Sequence, residues 1–218
     1  MIRALVVKEL REAGWVGLAA LGAGLCHVAA KTGTRFFSWF PGYERYSTGL
    51  SFDDFASLQT LILVLAAIAM GLWQTAWEIQ RGTFLYLLHR PLKRSTIMLV
   101  KLFTGGTMLL VAGGLPILIY AWWATEYGKY AALSQWSMAL PGVEILLTLT
   151  LVYLGAFVSG LNTGRWWGMR LLPLCAVGIP TLLISIFHRW WLFGLPCLVL
   201  GIIWLASDAL WQARVRDY

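Results

Sequence analysis

Apolar residues fill most of this chain in long blocks, and polar residues gather between the blocks in short clusters. Residues 58–77 (LQTLILVLAAIAMGLWQTAW) carry no charge, 97–123 carry only Lys101, and 140–161 carry only Glu144. A helix rises ~1.5 Å per residue, so about 20 apolar residues cross the ~30 Å hydrocarbon core of a bilayer. Three further blocks of similar length lie at 13–30, 171–187 and 192–210. The pattern predicts an all-α polytopic membrane protein, with six transmembrane helices in a single transmembrane domain over residues 1–218.

The blocks differ in texture. Residues 1–12 place Ile2, Leu5, Val6 and Leu10 near one helical face, with Arg3, Lys8, Arg11 and Glu12 largely off it. This is the pattern of a helix lying in the membrane interface, ahead of span one; the alternative is the start of span one itself. Span one is rich in Gly and Ala, which lets a neighbouring helix approach closely. Span three contains Gly105-Gly106, Gly113-Gly114 and Pro116, and span five contains Pro173, Gly178 and Pro180, all of which loosen helix geometry.

Composition sharpens the class. The chain is 59% hydrophobic and 12% charged, against an apolar share of about 45–50% in soluble domains. Its formal charge of +7 comes from basic clusters beside the apolar blocks, where they set membrane orientation, so no nucleic-acid partner is expected. Cys26, Cys175 and Cys197 each fall inside an apolar run, odd in number and widely spaced, and are expected as small core residues rather than a disulfide framework or metal site. Two acids interrupt the N-terminal basic residues and no small-residue cleavage site follows, so no cleaved signal peptide is expected.

The most polar long segment runs over 78–101 (EIQRGTFLYLLHRPLKRSTIMLVK), between spans two and three. Arg81, Arg90, Lys93, Arg94 and Lys101 stand against Glu78 alone, a bias that marks a loop kept on the cytoplasmic side. Within it, residues 83–89 (TFLYLLH) are long enough for two helical turns, and Pro91 stops the run because it lacks the N–H a continuing helix needs.

The pattern of Glu78, Arg81-Gly82-Thr83, Leu87-Leu88, Pro91-Leu92-Lys93-Arg94 and Lys101 resembles the permease subunits of the ABC type-2 transporter family. The resemblance implies that this segment is a cytoplasmic coupling helix that docks on a separate ABC ATP-binding subunit. Its docking residues are then Glu78, Arg81, Gly82, Thr83, Phe84, Leu87, Leu88, Arg90, Pro91 and Arg94. Phe84, Leu87 and Leu88 supply apolar anchors, while Arg90, Lys93 and Arg94 supply rim charges or lipid contacts, or serve only as positive-inside signals. In the family, span five is followed by a re-entrant helical pair; here only His188, Arg189, Trp190 and Trp191 separate the last two apolar runs. That feature is therefore abbreviated or built from the spans themselves.

Other polar residues have competing readings. Lys101, about one turn into span three, is expected to snorkel to the inner headgroups. Glu144 lies one to two turns inside span four, where it lines a translocation path, pairs with a base such as Arg189, or faces the outer aqueous boundary. His27 near the outer end of span one reads as an interfacial histidine. The aromatic segment 31–57 reads as an interfacial belt or as a gate for an amphipathic substrate, with Asp53 and Asp54 solvated or capping the next helix. Asp208 is expected to pair with Arg214 or Arg216. The spacing of Gly160, Gly164 and Gly168 straddles a loop and reads as coincidence rather than a dimerisation motif.

With both termini inside, 12 of the 17 Lys and Arg fall on the cytoplasmic side and five outside, as the positive-inside rule requires. The chain lacks Gly-x-x-x-x-Gly-Lys-Ser/Thr, so it is expected to bind no cofactor of its own and to be no enzyme. The resemblance places ATP and Mg in the partner ATPase. It implies a subunit of an exporter in the bacterial inner (plasma) membrane, dimeric with a second copy or a relative, in contact with membrane lipids. The alternatives are a non-transporting membrane anchor or sensor, and an intramembrane enzyme built on Ser159 with His27 or His188, whose predicted depths do not match.

Overall fold

The computed structural model describes residues 2–32, 52–82, 93–124, 140–162, 170–186 and 191–215. It is almost entirely helical, with no strands among the described residues. We label the helices α1 (Ile2–Lys31), α2 (Phe52–Leu72), α3 (Arg94–Ala124), α4 (Leu140–Leu161), α5 (Leu172–Ile186) and α6 (Trp191–Val215). A π-helical segment, Trp73–Trp77, and a last turn, Glu78–Gln80, continue α2.

Four helices among the described residues are long and apolar enough to cross a membrane: Ile2–Lys31, Phe55–Gln80, Arg94–Trp123 and Gly142–Leu161. The chain is thus an apolar helical bundle of the kind that integral membrane proteins use. Helix α5 has 15 residues, a length of about 22 Å at 1.5 Å per residue. In α6 the apolar stretch among the described side chains is Pro196–Gln212.

The boundary expected between an interfacial helix at 1–12 and a span at 13–30 is absent. One helix runs unbroken from Ile2 to Lys31, and its buried residues Leu5, Glu9, Ala13, Val16, Ala20, Gly24 and Val28 follow one another at helical spacing on a single face. The charged N-terminal turns are an extension of the first span. At 30 residues the helix is about 45 Å long, well beyond the ~30 Å core, so part of it stands outside the hydrocarbon.

Helix α4 sits at the centre, packed on α2 most extensively and also on α3, α5 and α6, while α1 lies against α2 and α3. Residues 151–161 of α4 are buried without a break. The close approach of α2 there depends on Gly71 and Gly160. A Cβ at Gly71 would lie 2.7–2.8 Å from Ala156 Cβ and from the backbone of Tyr153 and Phe157. A Cβ at Gly160 would overlap the Thr75 hydroxyl.

Polarity does not separate inside from outside in this bundle. Leu18, Leu65, Phe103, Leu118, Trp122, Leu200 and Trp204 are exposed, as expected of side chains that meet lipid. The three cysteines are a second correction: Cys26, Cys175 and Cys197 are all exposed and unbridged rather than core residues.

Candidate functional site

Helix α2 changes pitch just before it ends. The π-helical segment widens the turn over Trp73–Trp77, Gln74, Thr75 and Ala76 are buried in it, and the backbone N–H of Glu78 bonds the Thr75 carbonyl. Such π segments often mark functional positions because they re-aim side chains. Gly82, at φ +70°, then stops the helix in the left-handed conformation that glycine adopts without penalty.

The re-aimed turn meets a buried ammonium. Lys101, in the second turn of α3, is 0% exposed. Its Nζ donates to Glu78 Oε2 (2.7 Å), Glu9 Oε1 (2.8 Å) and the Gln74 carbonyl (3.3 Å). These three acceptors use all three N–H groups of the lysine. Glu9 is 1% and Glu78 4% exposed, so the pairs are desolvated, and their attraction offsets burial only because every donor is satisfied. Lys8 extends the network from a more accessible position. It donates to Glu78 Oε1, with Glu12 Oε2 at 3.1 Å and Glu9 Oε1 at 3.7 Å.

Tyr153 and Gln74 brace the cluster from behind. Tyr153 on α4 donates to Gln74 Oε1 at 2.7 Å and approaches the Lys101 carbonyl at 3.4 Å. Space for this contact comes from Gly105, one turn beyond Lys101, where a Cβ would overlap the Tyr153 hydroxyl oxygen and crowd Gln74 Oε1. Four helices thus converge on one charge cluster.

Beside the cluster is a cleft of about 320 Å³. Glu9, Gln74 and Glu78 line its depth, and Glu12 and Arg81 stand at its exposed rim. Ala13 and three tryptophans complete the wall: Trp15 meets Trp73 edge-on at 5.1 Å, Trp73 stacks on Trp77 at 4.6 Å, and the Arg81 guanidinium lies 4.6 Å from the Trp77 ring centre.

The expected site residues distribute unevenly. Lys101 does not snorkel; the paired carboxylates of Glu9 and Glu78 hold it inside. Glu78, expected on the docking surface, turns inward to Lys101. Arg81 and Gly82 are exposed beyond it, and Arg94 begins α3. Thr83, Phe84, Leu87, Leu88, Arg90 and Pro91 lie outside the described residues, as do Arg189, His188, Gly164, Gly168 and most of segment 31–57.

Glu144 is partly buried in the first turns of α4. Asp208 receives a hydrogen bond from Gln212 Nε2 at 2.8 Å, while the side chains of Arg214 and Arg216 are outside the described set. His27 is buried, stacked on Phe55 and bonded to its carbonyl at 3.3 Å. Ser159 accepts the backbone N–H of Leu174 at 3.1 Å.

Lys8, Glu9, Gln74 and Tyr153 were not legible as site residues, although opposite charges at the same end of three apolar helices were a usable signal. No family model matches the chain, and neither the curated proteins nor the solved structures contain a match to it.

Proposed function

We propose that the chain is the transmembrane permease subunit of an ATP-driven exporter, moving a lipid or amphipathic substrate when docked to separate ABC ATP-binding subunits. In this reading α5 and α6 complete six spans, both termini are cytoplasmic, and residues 83–89 form the coupling helix. Two permease copies, or this chain and a relative, enclose the pathway, since closed symmetric dimers are the commonest way to build one from a small subunit. ATP and Mg belong to the partner.

The observation that carries the reading is the anchoring of the segment's two flanks. Glu78 precedes residues 83–92 and Lys101 follows them, and the two are joined by a 2.7 Å ion pair that also holds Glu9 of α1. A push on the intervening segment is therefore delivered to α1, α2 and α3 together rather than absorbed at one helix end. That is what a coupling element needs. Driving a two-state bundle from about 1:99 to 99:1 takes about 5.5 kcal/mol of differential binding, which nucleotide-driven closure of an ATPase pair supplies.

Affinity purification of the tagged chain in mild detergent, with mass spectrometry of its companions, tests the proposal. An ATP-binding subunit is expected with the wild type and lost with Leu87→Asp/Leu88→Asp. Absence of any ATPase under all conditions overturns the proposal, and its retention by the folded variant overturns the assignment of the docking surface to residues 83–89.

A further inference from the structure

The π-helical segment of α2 decides which neighbour Glu78 meets. Gly71 faces α4, where a Cβ would crowd Ala156 and the backbone of Tyr153 and Phe157, and one turn on, Thr75 meets Gly160 of the same helix. In an unbroken α-helix, a residue seven positions beyond another points within about 20° of the same direction. Glu78, seven beyond Gly71, would then face α4. It meets Lys101 of α3 and Lys8 of α1 instead. The reason is the wider turn over Trp73–Trp77: π-helical hydrogen bonds span one residue more than α-helical ones, and one residue is about 100° of rotation.

Side chains hold the segment in this register. The Thr75 hydroxyl donates to the Gly71 carbonyl at 2.8 Å, Lys101 Nζ to the Gln74 carbonyl at 3.3 Å, and the Tyr153 hydroxyl to Gln74 Oε1 at 2.7 Å. Gln74 Nε2 is left without a hydrogen-bond partner although the residue is 2% exposed, a cost that this register carries. Lys101 both pairs with Glu78 and donates to the segment that aims it, so its loss releases both.

Glu78 is also the carboxylate that can leave. Three acids, Glu9, Glu12 and Glu78, share two ammoniums, Lys8 and Lys101. Without Glu78, Lys101 keeps Glu9 at 2.8 Å and Lys8 keeps Glu12 at 3.1 Å, so neither ammonium is stranded. A buried cation lies toward α4. Arg170 is 8% exposed and donates from Nη2 to the Gly160 carbonyl at 3.3 Å, beside the contact of Gly160 with Thr75. Glu78 is three residues past Thr75, within one helical turn, and a buried guanidinium is stabilised by a carboxylate that reaches it.

We propose that the end of α2 is a two-position switch. In the π register Glu78 pairs with Lys101; when the segment winds into α-helix, the end turns by about 100° and Glu78 pairs with Arg170. Trp77, one residue earlier, comes round to the direction that Glu78 leaves and presents its ring to the Lys101 ammonium. The exchange releases the end of α2 from α1 and α3 and ties it to the residue that leads into α5. This inference does not rest on the transporter reading, since the switch needs only residues of this chain.

Double electron–electron resonance on the full chain in detergent tests it. Spin labels are placed at Arg81→Cys, exposed just past the segment, and at Trp211→Cys, exposed on α6, with Cys26, Cys175 and Cys197 replaced by Ser. Side-chain tips lie about 5–6 Å from a helix axis, so the turn carries residue 81 by about 8 Å. The otherwise unchanged chain is expected to give one main distance. Lys8→Met/Glu9→Gln/Lys101→Met, which leaves Glu78 without either ammonium, is expected to raise the ratio of a second, equally narrow distance to the first at least about tenfold. Adding Arg170→Met is expected to lower that ratio about tenfold. Thr75→Val, a milder change that removes only the hydroxyl bond to the Gly71 carbonyl, is expected to raise it about fivefold. A single unchanged distance in both the triple variant and Thr75→Val overturns the proposal. So does a broadening without a second peak, which is fraying of the helix end, or a second peak indifferent to Arg170→Met. None of these outcomes depends on whether an ATPase docks.

Discussion

Replacing Lys101 with Met removes the ammonium while keeping an unbranched side chain of similar length. In the folded chain this strands Glu9 and Glu78, which are 1% and 4% exposed, and leaves the Gln74 carbonyl without its side-chain donor. Lys8 still reaches Glu78, but it lies 3.7 Å from Glu9, so one buried carboxylate loses its main partner. Breaking a buried pair by deleting one member costs about 3–5 kcal/mol, because the desolvation of the other remains uncompensated. Lys101→Met should therefore lose about that much stability in titrations of the full chain from mild detergent into sodium dodecyl sulfate. Removing the carboxylates as well, in Lys101→Met/Glu9→Gln/Glu78→Gln, leaves no unpaired charge and should recover most of the loss, to within about 1–2 kcal/mol of wild type. A loss below about 1 kcal/mol for the single variant, the value of an exposed pair, would refute the reasoning. So would a triple variant as unstable as the single one.

Two further substitutions probe the packing around the cluster. Gly105→Ala would drive a methyl group into the Tyr153 hydroxyl and Gln74 and should cost about 1–3 kcal/mol, relieved in part by Tyr153→Phe. Gly106→Ala, with nothing within 4 Å, should be neutral or stabilising by up to about 1 kcal/mol; equal effects at 105 and 106 in the same titration would count against the contact. Gln59 on α2 is 0% exposed with neither amide atom hydrogen-bonded, so Gln59→Met should raise the unfolding midpoint, by about 1 kcal/mol in free energy, and a loss of stability would point to a partner for that amide.

The sequence carried the helices well and the site poorly, for one reason. Apolar runs of membrane length need their backbone hydrogen bonds satisfied within the segment, so composition alone located the helices, and α4 begins and ends where its apolar block does. Which face turns inward is a different question. In water, burial sorts residues by polarity; in this bundle apolar side chains lie both inside and outside, so the cysteines were read as core although they are exposed. The same lack of sorting hid Glu9. Among Lys8, Arg11 and Glu12 it reads as part of a solvated interfacial turn, yet its partner is Lys101, 92 residues away. Lys101 read as snorkelling because a lone lysine near a span end usually reaches the headgroups, and only tertiary placement supplies the two carboxylates that keep it inside. Glu78 was legible as a significant residue, but its direction depends on the π-helical segment, which has no simple sequence signature.

Residues 83–89 are proposed to contact an ATP-binding subunit. A photo-crosslinking amino acid at Phe84, activated in intact cells, tests it most directly, with the same group at exposed Phe103 on α3 as the lipid-facing control. An adduct is expected from position 84 to a cytoplasmic protein carrying a Gly-x-x-x-x-Gly-Lys-Ser/Thr phosphate loop, and none from position 103. Adducts at 84 to lipid alone, or to proteins without that loop, would contradict it.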